Sequence, residues 1–400
     1  MFDRCPAGVA AAAGCLVAAS ALAQPGLSPV FRLIDPLDTD PGITPVELPN
    51  LGDTEPFHVA ISAGGPGVND GPGRGFLFLW LPGSGAAATQ YESLAQTASR
   101  LGFDVLGLTY DSWPPVNGLT TNSTDPGLPE AIRRERLFGE DATPAIDVDE
   151  ANSVVNRAAK AIEFLIATSG DERWERYLRE NDGRPGGALE WSRVVVGGHS
   201  QGSGHAVYLS KEFLLRGSLV FAGPGDFVSG LGTAPWVGEP GVTPTNRLYA
   251  FTHVEDPTAA GFFANQRVLG LDTFGPLQNV DTRSPGEIWS HTLVSTLDPG
   301  NPNFHSAVAA DEFLPVGPQG QNRYEPTWRF MLEAAATGRR PGCNPADSVA
   351  PFGVLNATDV NSFVNGFLAG APRGDLAEPT GIFNATDINT FVNAFIAGCP

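Results

Sequence analysis

The sequence predicts an α/β protein: a mostly parallel central sheet flanked by helices, followed by a small all-α C-terminal part. Three observations predict it. Apolar strand-like runs alternate with helical periodicities from residue 57 to residue 335. The stretch Gly198-His199-Ser200-Gln201-Gly202 joins a β-branched apolar run, Val194-Val195-Val196, to a segment of helical character from Ser203 to Leu215. Beyond residue 342 the chain repeats itself: GVLNATDVNSFVNGFLAG begins at Gly353 and GIFNATDINTFVNAFIAG at Gly381, with twelve of eighteen positions identical.

The elements follow in order. Arg4 is the one early positive charge, and Ala7 to Leu22 is almost wholly small and apolar. Ala21-Leu22-Ala23 puts small residues at −3 and −1, so residues 1–23 read as an export signal cleaved before Gln24. Lipidation at Cys15, in Ala12-Ala13-Gly14-Cys15, is the weaker alternative. Phe57–Ser62, Phe76–Leu81 and Phe103–Tyr110 are expected strands. Tyr91, Leu94, Ala95, Ala98 and Leu101 recur at helical spacing. A long helix is expected over Asp149–Thr168, with Val154, Val155, Ala158, Ile162 and Leu165 on one face. Trp191–Val196, Leu219–Phe221, Leu248–Thr252 and Ile288–Ser295 complete the strands. Two irregular stretches, Trp113–Asp147 and Val228–Asn246, follow strands and are expected to shape a pocket at the carboxyl edge of the sheet. Residues 24–337 then form the main domain, 338–342 a linker and 343–400 the duplicated part.

Composition narrows the partners. The formal net charge is −20, with 24 Lys+Arg against 44 Asp+Glu. Such a surface disfavours nucleic acid and anionic membranes and suits a secreted or cell-surface protein. Past the signal no run of 18 apolar residues remains, so no membrane span is expected. Of the four cysteines, Cys5 and Cys15 leave with the signal. Cys343 and Cys399 bracket the repeats, and in an exported chain such a pair reads as a disulfide.

The chemistry centres on Ser200. Glycine makes up 48 of 400 residues, so Gly-x-Ser-x-Gly arises readily by composition; its weight comes from the strand before it and the helix after it. That context is a nucleophile elbow, with a serine hydroxyl exposed at the N-terminus of a helix, where the backbone favours a developing oxyanion. A serine nucleophile needs a base, an orienting acid and two N–H donors. Of six histidines, His305 lies in a loop after the last strand and is the natural base; His58, His199, His205, His253 and His291 read as structural. Asp256, after the strand Leu248–Thr252, is the favoured acid, with Asp226 and Glu255 as competitors. The N–H of Gln201 supplies one oxyanion donor, and the loop Leu81-Pro82-Gly83-Ser84-Gly85 the other, from Ser84 or alternatively Gly83.

Residues 57–335 therefore resemble the α/β-hydrolase superfamily, in its esterase and lipase-like branches, through the order oxyanion loop, elbow, acid, histidine. The oxyanion loop departs from the pattern, having Pro82-Gly83-Ser84 where many members have His-Gly. The resemblance implies an α/β-hydrolase fold and hydrolysis of a carboxylic ester, in a small molecule or an acylated polymer, with no cofactor required for catalysis. A peptidase or thioesterase would use the same residues, and a non-catalytic surface scaffold on the same fold is the reading from another class.

The C-terminal repeats resemble a dockerin of the type ending in Gly-Cys, which implies an anchor to a protein or cell-surface partner. Two helices with apolar stripes, Val360, Phe363, Val364, Phe367 and Leu368, then Ile388, Phe391, Val392, Phe395 and Ile396, are expected to pack together. In the dockerin pattern Asn356, Asp359, Asn384 and Asp387 fall at calcium positions. The early ligand positions are poor: Asp347 and Asp375 lie one residue too far upstream, and Ala350 and Phe352 have no ligating side chain.

Overall fold

Strands buried at every position build the centre of the molecule. In the computed structural model, which describes residues 29–52, 54–64, 71–283, 287–337, 344–349, 354–371, 374–377 and 382–399, nine strands form one sheet. They are β1 (Val30–Ile34), β2 (His58–Ser62), β3 (Leu77–Leu81), β4 (Asp104–Gly107), β5 (Val194–His199), β6 (Gly217–Phe221), β9 (Leu248–His253), β10 (Gln278–Asn279) and β11 (Thr292–Ser295). A separate ribbon joins β7 (Phe227–Val228) to β8 (Gly232–Thr233). The export segment 1–23, the linker 338–342, Gly353 and Gly381 fall outside the described residues.

The strand order is β1-β2-β4-β3-β5-β6-β9-β11-β10. β2 is antiparallel to both its neighbours, and every pairing from β4 through to β10 is parallel. Strands buried on both faces carry apolar residues in unbroken runs, as LFLWL in β3 does. Leu77, Leu79 and Leu81 face one core, with Val194, Val196 and Val220. Phe78 and Trp80 face the other, with Val195, Leu219 and Phe221. The helices α4 (Val154–Ser169) and α5 (Gln201–Glu212) cover the first face. The helices α1 (Glu92–Arg100) and α7 (Glu325–Thr337) cover the second.

Chain order reverses at the middle of the sheet, since β4 lies on one side of β3 and β5 on the other. Loops leaving the carboxyl ends of β3 and β5 diverge there and leave a crevice. The pairing Leu81↔Gly198 ends both strands at one level, so the loop after Leu81 and the turn at Ser200 meet in it.

Several boundaries differ from expectation for local reasons. The long helix begins at Val154 rather than Asp149, because Ser153 Oγ accepts the Asn156 N–H as its cap. The last expected strand shortens to β11, and the third ends at Gly107. The stretch read as irregular holds α2 (Val116–Thr120) and α3 (Leu128–Phe138). Strand β1 and α6 (Ala259–Val268) were not anticipated.

At the C-terminus, α8 (Ala357–Leu368) and α9 (Ala385–Ala397) bring Phe363 and Phe391 face to face, ring centres 4.2 Å apart. They form a small core with Ala346 and Leu376, against which Trp289 packs. Of the expected stripes, Val364, Leu368, Ile388, Val392 and Ile396 are exposed instead of buried, because the single stacked pair already fills the space between the helices. Cys399 is disulfide-bonded, and Cys343, the expected other end of the bridge, lies outside the described residues. Among the described residues no helix is long and apolar enough to cross a membrane.

Candidate active site

Ser200 stands between β5 and α5 with φ 55° and ψ −118°, a conformation that costs an L-residue of the order of 1–3 kcal/mol. Its N–H donates to the Phe221 carbonyl at the end of β6, 2.9 Å, and its carbonyl accepts from Ser203 N, 3.1 Å, and Ser203 Oγ, 2.5 Å. The flanking glycines are sterically required. A Cβ at position 198 would stand 2.1 Å from the Gly202 carbonyl oxygen, and one at position 202 would stand 2.0 Å from that of Leu81.

Ser200, Asp256 and His305 line one cavity of about 540 Å³. Asp256 follows β9 and is buried; His305, in the loop after β11, is partly exposed. His305 Nδ1 lies 2.6 Å from Asp256 Oδ2. Asp256 Oδ1 accepts from Thr258 N, 2.8 Å, and Thr258 Oγ1, 2.6 Å. Burial alone would raise the Asp256 carboxyl, but the His305 and Thr258 hydrogen bonds outweigh it and hold the group below its ordinary range. An ionised carboxylate only accepts, so Nδ1 carries a proton, and in the neutral ring Nε2 is the nitrogen that presents a lone pair. As the side chains stand, Ser200 Oγ makes no hydrogen bond to that ring among the described residues; such contacts tighten when substrate arrives.

The oxyanion candidates separate by their partners. Gly83 N donates to Tyr91 Oη at 3.3 Å and Gly85 N to Ser112 Oγ at 2.9 Å. Ser84 N is thus the one donor of residues 83–85 without a protein acceptor, which favours Ser84 over Gly83. Gln201 opens α5, where a first-turn N–H has no intrahelical partner. Its side chain is tied down: Oε1 accepts from Ser84 Oγ, Val116 N and Arg136 Nη1, and Nε2 donates to the Ser112 carbonyl.

The other candidates have separate duties. Asp226 is fully buried in a two-pronged pair with Arg133, 2.7 and 2.5 Å, and Glu255 is exposed. His58 accepts from Thr109 N, and burial followed by the nearby Arg157 pushes it down to about 3. His205 lies against Arg133, and burial with two arginine charges holds it well below its ordinary value. His253 Nε2 pairs with the Leu297 carbonyl and His291 Nδ1 with that of Leu248.

His199 is the residue that sequence reasoning undervalued. Its Nε2–H donates to the His305 carbonyl at 3.0 Å, because a carbonyl only accepts, and its Nδ1 accepts from Tyr91 Oη at 3.0 Å. Burial first, then the neighbouring His305, pushes it down to about 3. One relay of hydrogen bonds therefore ties the oxyanion loop at Gly83, through Tyr91 and His199, to the loop of the base. A histidine directly before the elbow serine was the available signal. Arg133 was also missed: its Nη1 donates to the carbonyl of Gln201, the residue after Ser200, at 3.1 Å.

Among the described residues no group of three or more His, Cys, Asp or Glu side chains is placed to hold a metal ion. The calcium candidates are spent on backbone. Asp359 accepts from Ser348 N, Val349 N and Asn356 N, and Asp387 from Leu376 N, Ala377 N and Asn384 N. Asn356 and Asn384 accept from Thr358 N and Thr386 N. Bonds of this set make the capping boxes of α8 and α9.

No family model and no curated protein matches the chain. Among solved structures, a bacterial heroin esterase is 16% identical over 80% of this chain and 87% of its own, with a TM-score of 0.36. Esterase B from Lactobacillus rhamnosis is 9% identical over 78% of this chain and 87% of its own, with a TM-score of 0.38. An esterase from the archaeon Pyrobaculum calidifontis is 11% identical over 70% of this chain and 81% of its own, with a TM-score of 0.36. The chemistry assigned to the site rests on its own geometry.

Proposed function

We propose that this chain is a secreted serine hydrolase that cleaves carboxylic esters through Ser200, His305 and Asp256, on an α/β-hydrolase fold. The observation that carries the reading is Ser200 held at positive φ in the same cavity as an imidazole whose Nδ1 is bonded to a buried carboxylate. In this mechanism His305 Nε2 takes the Ser200 proton as Oγ attacks the ester carbonyl. The N–H groups of Gln201 and Ser84 receive the tetrahedral oxyanion. His305 then gives its proton to the leaving alcohol, and water, deprotonated by the same imidazole, releases the acid from Ser200.

The test is hydrolysis of p-nitrophenyl esters from acetate to decanoate by the mature protein beside Ser200→Ala and His305→Ala. Each substitution is expected to lower kcat by at least about a thousandfold. Turnover that survives in both variants, or that is absent for every ester, overturns the reading.

We further infer that residues 343–400 act as a dockerin-like anchor to a protein or cell-surface partner. Repetition supports it: residues 28 positions apart are equally exposed, Val364 and Val392 at 43% and 42%, Leu368 and Ile396 both at 78%. Export through residues 1–23 and the acidic balance of the chain fit an extracellular setting.

A further inference from the structure

A second cavity, of about 710 Å³, meets the first at Ser84, Ser200 and His305, which line both. Apart from these and Asn117 the two linings share no residue. Their chemistry differs. The first is lined mainly by apolar side chains, among them Val116, Ala222, Phe227 and Phe262, with Thr120 and Arg133 beside them. The second mixes polar groups, Asn50, Thr54, Gln90, Asn303 and Glu312, with apolar ones such as Leu51 and Phe313 and with the part-buried ring of Trp113.

An ester extends from its reacting carbon in two directions, and the two halves demand different surroundings. A hydrocarbon acyl chain gains by leaving water for an apolar wall. A group rich in hydroxyls loses there, because each hydroxyl gives up water without finding a partner. Amide, hydroxyl and carboxylate groups around the second cavity offer those partners. A half-covered indole among them adds an apolar ring face, matching a sugar, whose C–H face is apolar and whose rim is polar. Asn303 and Ser306, on the loop of His305, also line this side. The leaving alcohol needs to be on the side from which the imidazole protonates it.

We propose that the second cavity is the subsite for a polyhydroxylated alcohol, and that the substrate is an acyl ester of a carbohydrate. This deepens the ester-hydrolase reading and rests on it. In the reaction the acyl–oxygen bond of the sugar ester breaks as the acyl–Ser200 bond forms. The sugar oxygen leaves with the proton held by His305, and water then supplies the hydroxyl of the released acid and returns the proton to Ser200.

The experiment compares methyl 6-O-acetylglucoside, ethyl acetate and p-nitrophenyl acetate as substrates of the full chain and of Trp113→Ala and Trp113→Phe. In parallel, saturation-transfer NMR follows methyl 6-O-acetylglucoside on Ser200→Ala with and without Trp113→Ala. The sugar ester is expected to exceed ethyl acetate in kcat/KM by at least about tenfold, the scale on which paired hydroxyls discriminate. Trp113→Ala should bring the sugar ester down to the kcat/KM of ethyl acetate, and Trp113→Phe should keep most of the preference. If p-nitrophenyl acetate is cleaved through Ser200 but the sugar ester is no better than ethyl acetate, the subsite is overturned and the hydrolase reading stands. If no ester is cleaved, the hydrolase reading fails and the NMR decides the subsite: Trp113-dependent transfer upholds it, and none overturns it.

Discussion

Ser200 and Ala222 are the two non-glycine residues with positive φ among the described residues, at 55° and 47°, and they stand side by side after β5 and β6. Each donates its N–H to a carbonyl of the next strand, Phe221 and Phe251, so the sheet itself holds the strain. In the proposed mechanism, strain held this way fixes where the Ser200 hydroxyl points, and Asp256 fixes which nitrogen of the His305 ring meets it. Asp256→Asn should lower kcat by about 10³–10⁴-fold with little change in KM, because an amide can hold the wrong tautomer. A kcat within about threefold of wild type would remove Asp256 from that role. Stability carries a matching signature. The folded-state value of Asp256 lies below its unfolded value, so its contribution is complete above the ordinary carboxylate range and is lost as pH falls through the folded value. The stability gap between wild type and Asp256→Asn, followed by urea unfolding, should therefore narrow on acidification.

Helix α3 shows what a periodicity search misses. Its buried side carries Arg133, Glu135 and Arg136 beside Ile132 and Leu137, so charges stand where an apolar stripe is expected. The end signals were legible: Pro129 in the first turn and Gly139 just past the end at φ 72°. The charges are there because α3 braces α5. Arg133 bridges Asp226 and the Gln201 carbonyl, while Arg136 reaches the Gln201 side chain and the Pro114 carbonyl. Arg133→Met should cost about 3–5 kcal/mol by leaving the Asp226 carboxylate buried alone. The double variant Arg133→Met/Asp226→Leu should recover most of that stability in urea unfolding, yet keep kcat depressed, since the carbonyl of Gln201, the proposed oxyanion donor, has lost its brace. Recovery of full activity by the double variant would reduce Arg133 to a structural counter-ion.

At the scale of the whole chain, Ser200, Asp256 and His305, singled out in that chain order, line one cavity, and the central strands were readable because each depends on local pattern. The edge strand β1, the second cavity and the relay through His199 were not, because they arise from contacts such as Tyr91 to His199, 108 positions apart. The same limit applies at the C-terminus: a helical stripe announces an apolar face but not what covers it. Here Phe363 and Phe391 cover each other, and the residues one turn on, Leu368 and Ile396, are left at 78% exposure. Two large apolar side chains kept in equivalent exposed positions are where the proposed anchor would meet its partner. Neither residue lines either cavity, so a charge placed there should spare the chemistry. For Leu368→Asp/Ile396→Asp in the producing cell, the expected outcome is a shift of the protein from the cell surface to the medium, with p-nitrophenyl ester turnover within about twofold of wild type. An unchanged partition would remove the anchor from this face. A wild type that sediments as a dimer, and a double variant that sediments as a monomer, would instead assign the face to self-association, and the anchoring role would have to be sought elsewhere in the chain.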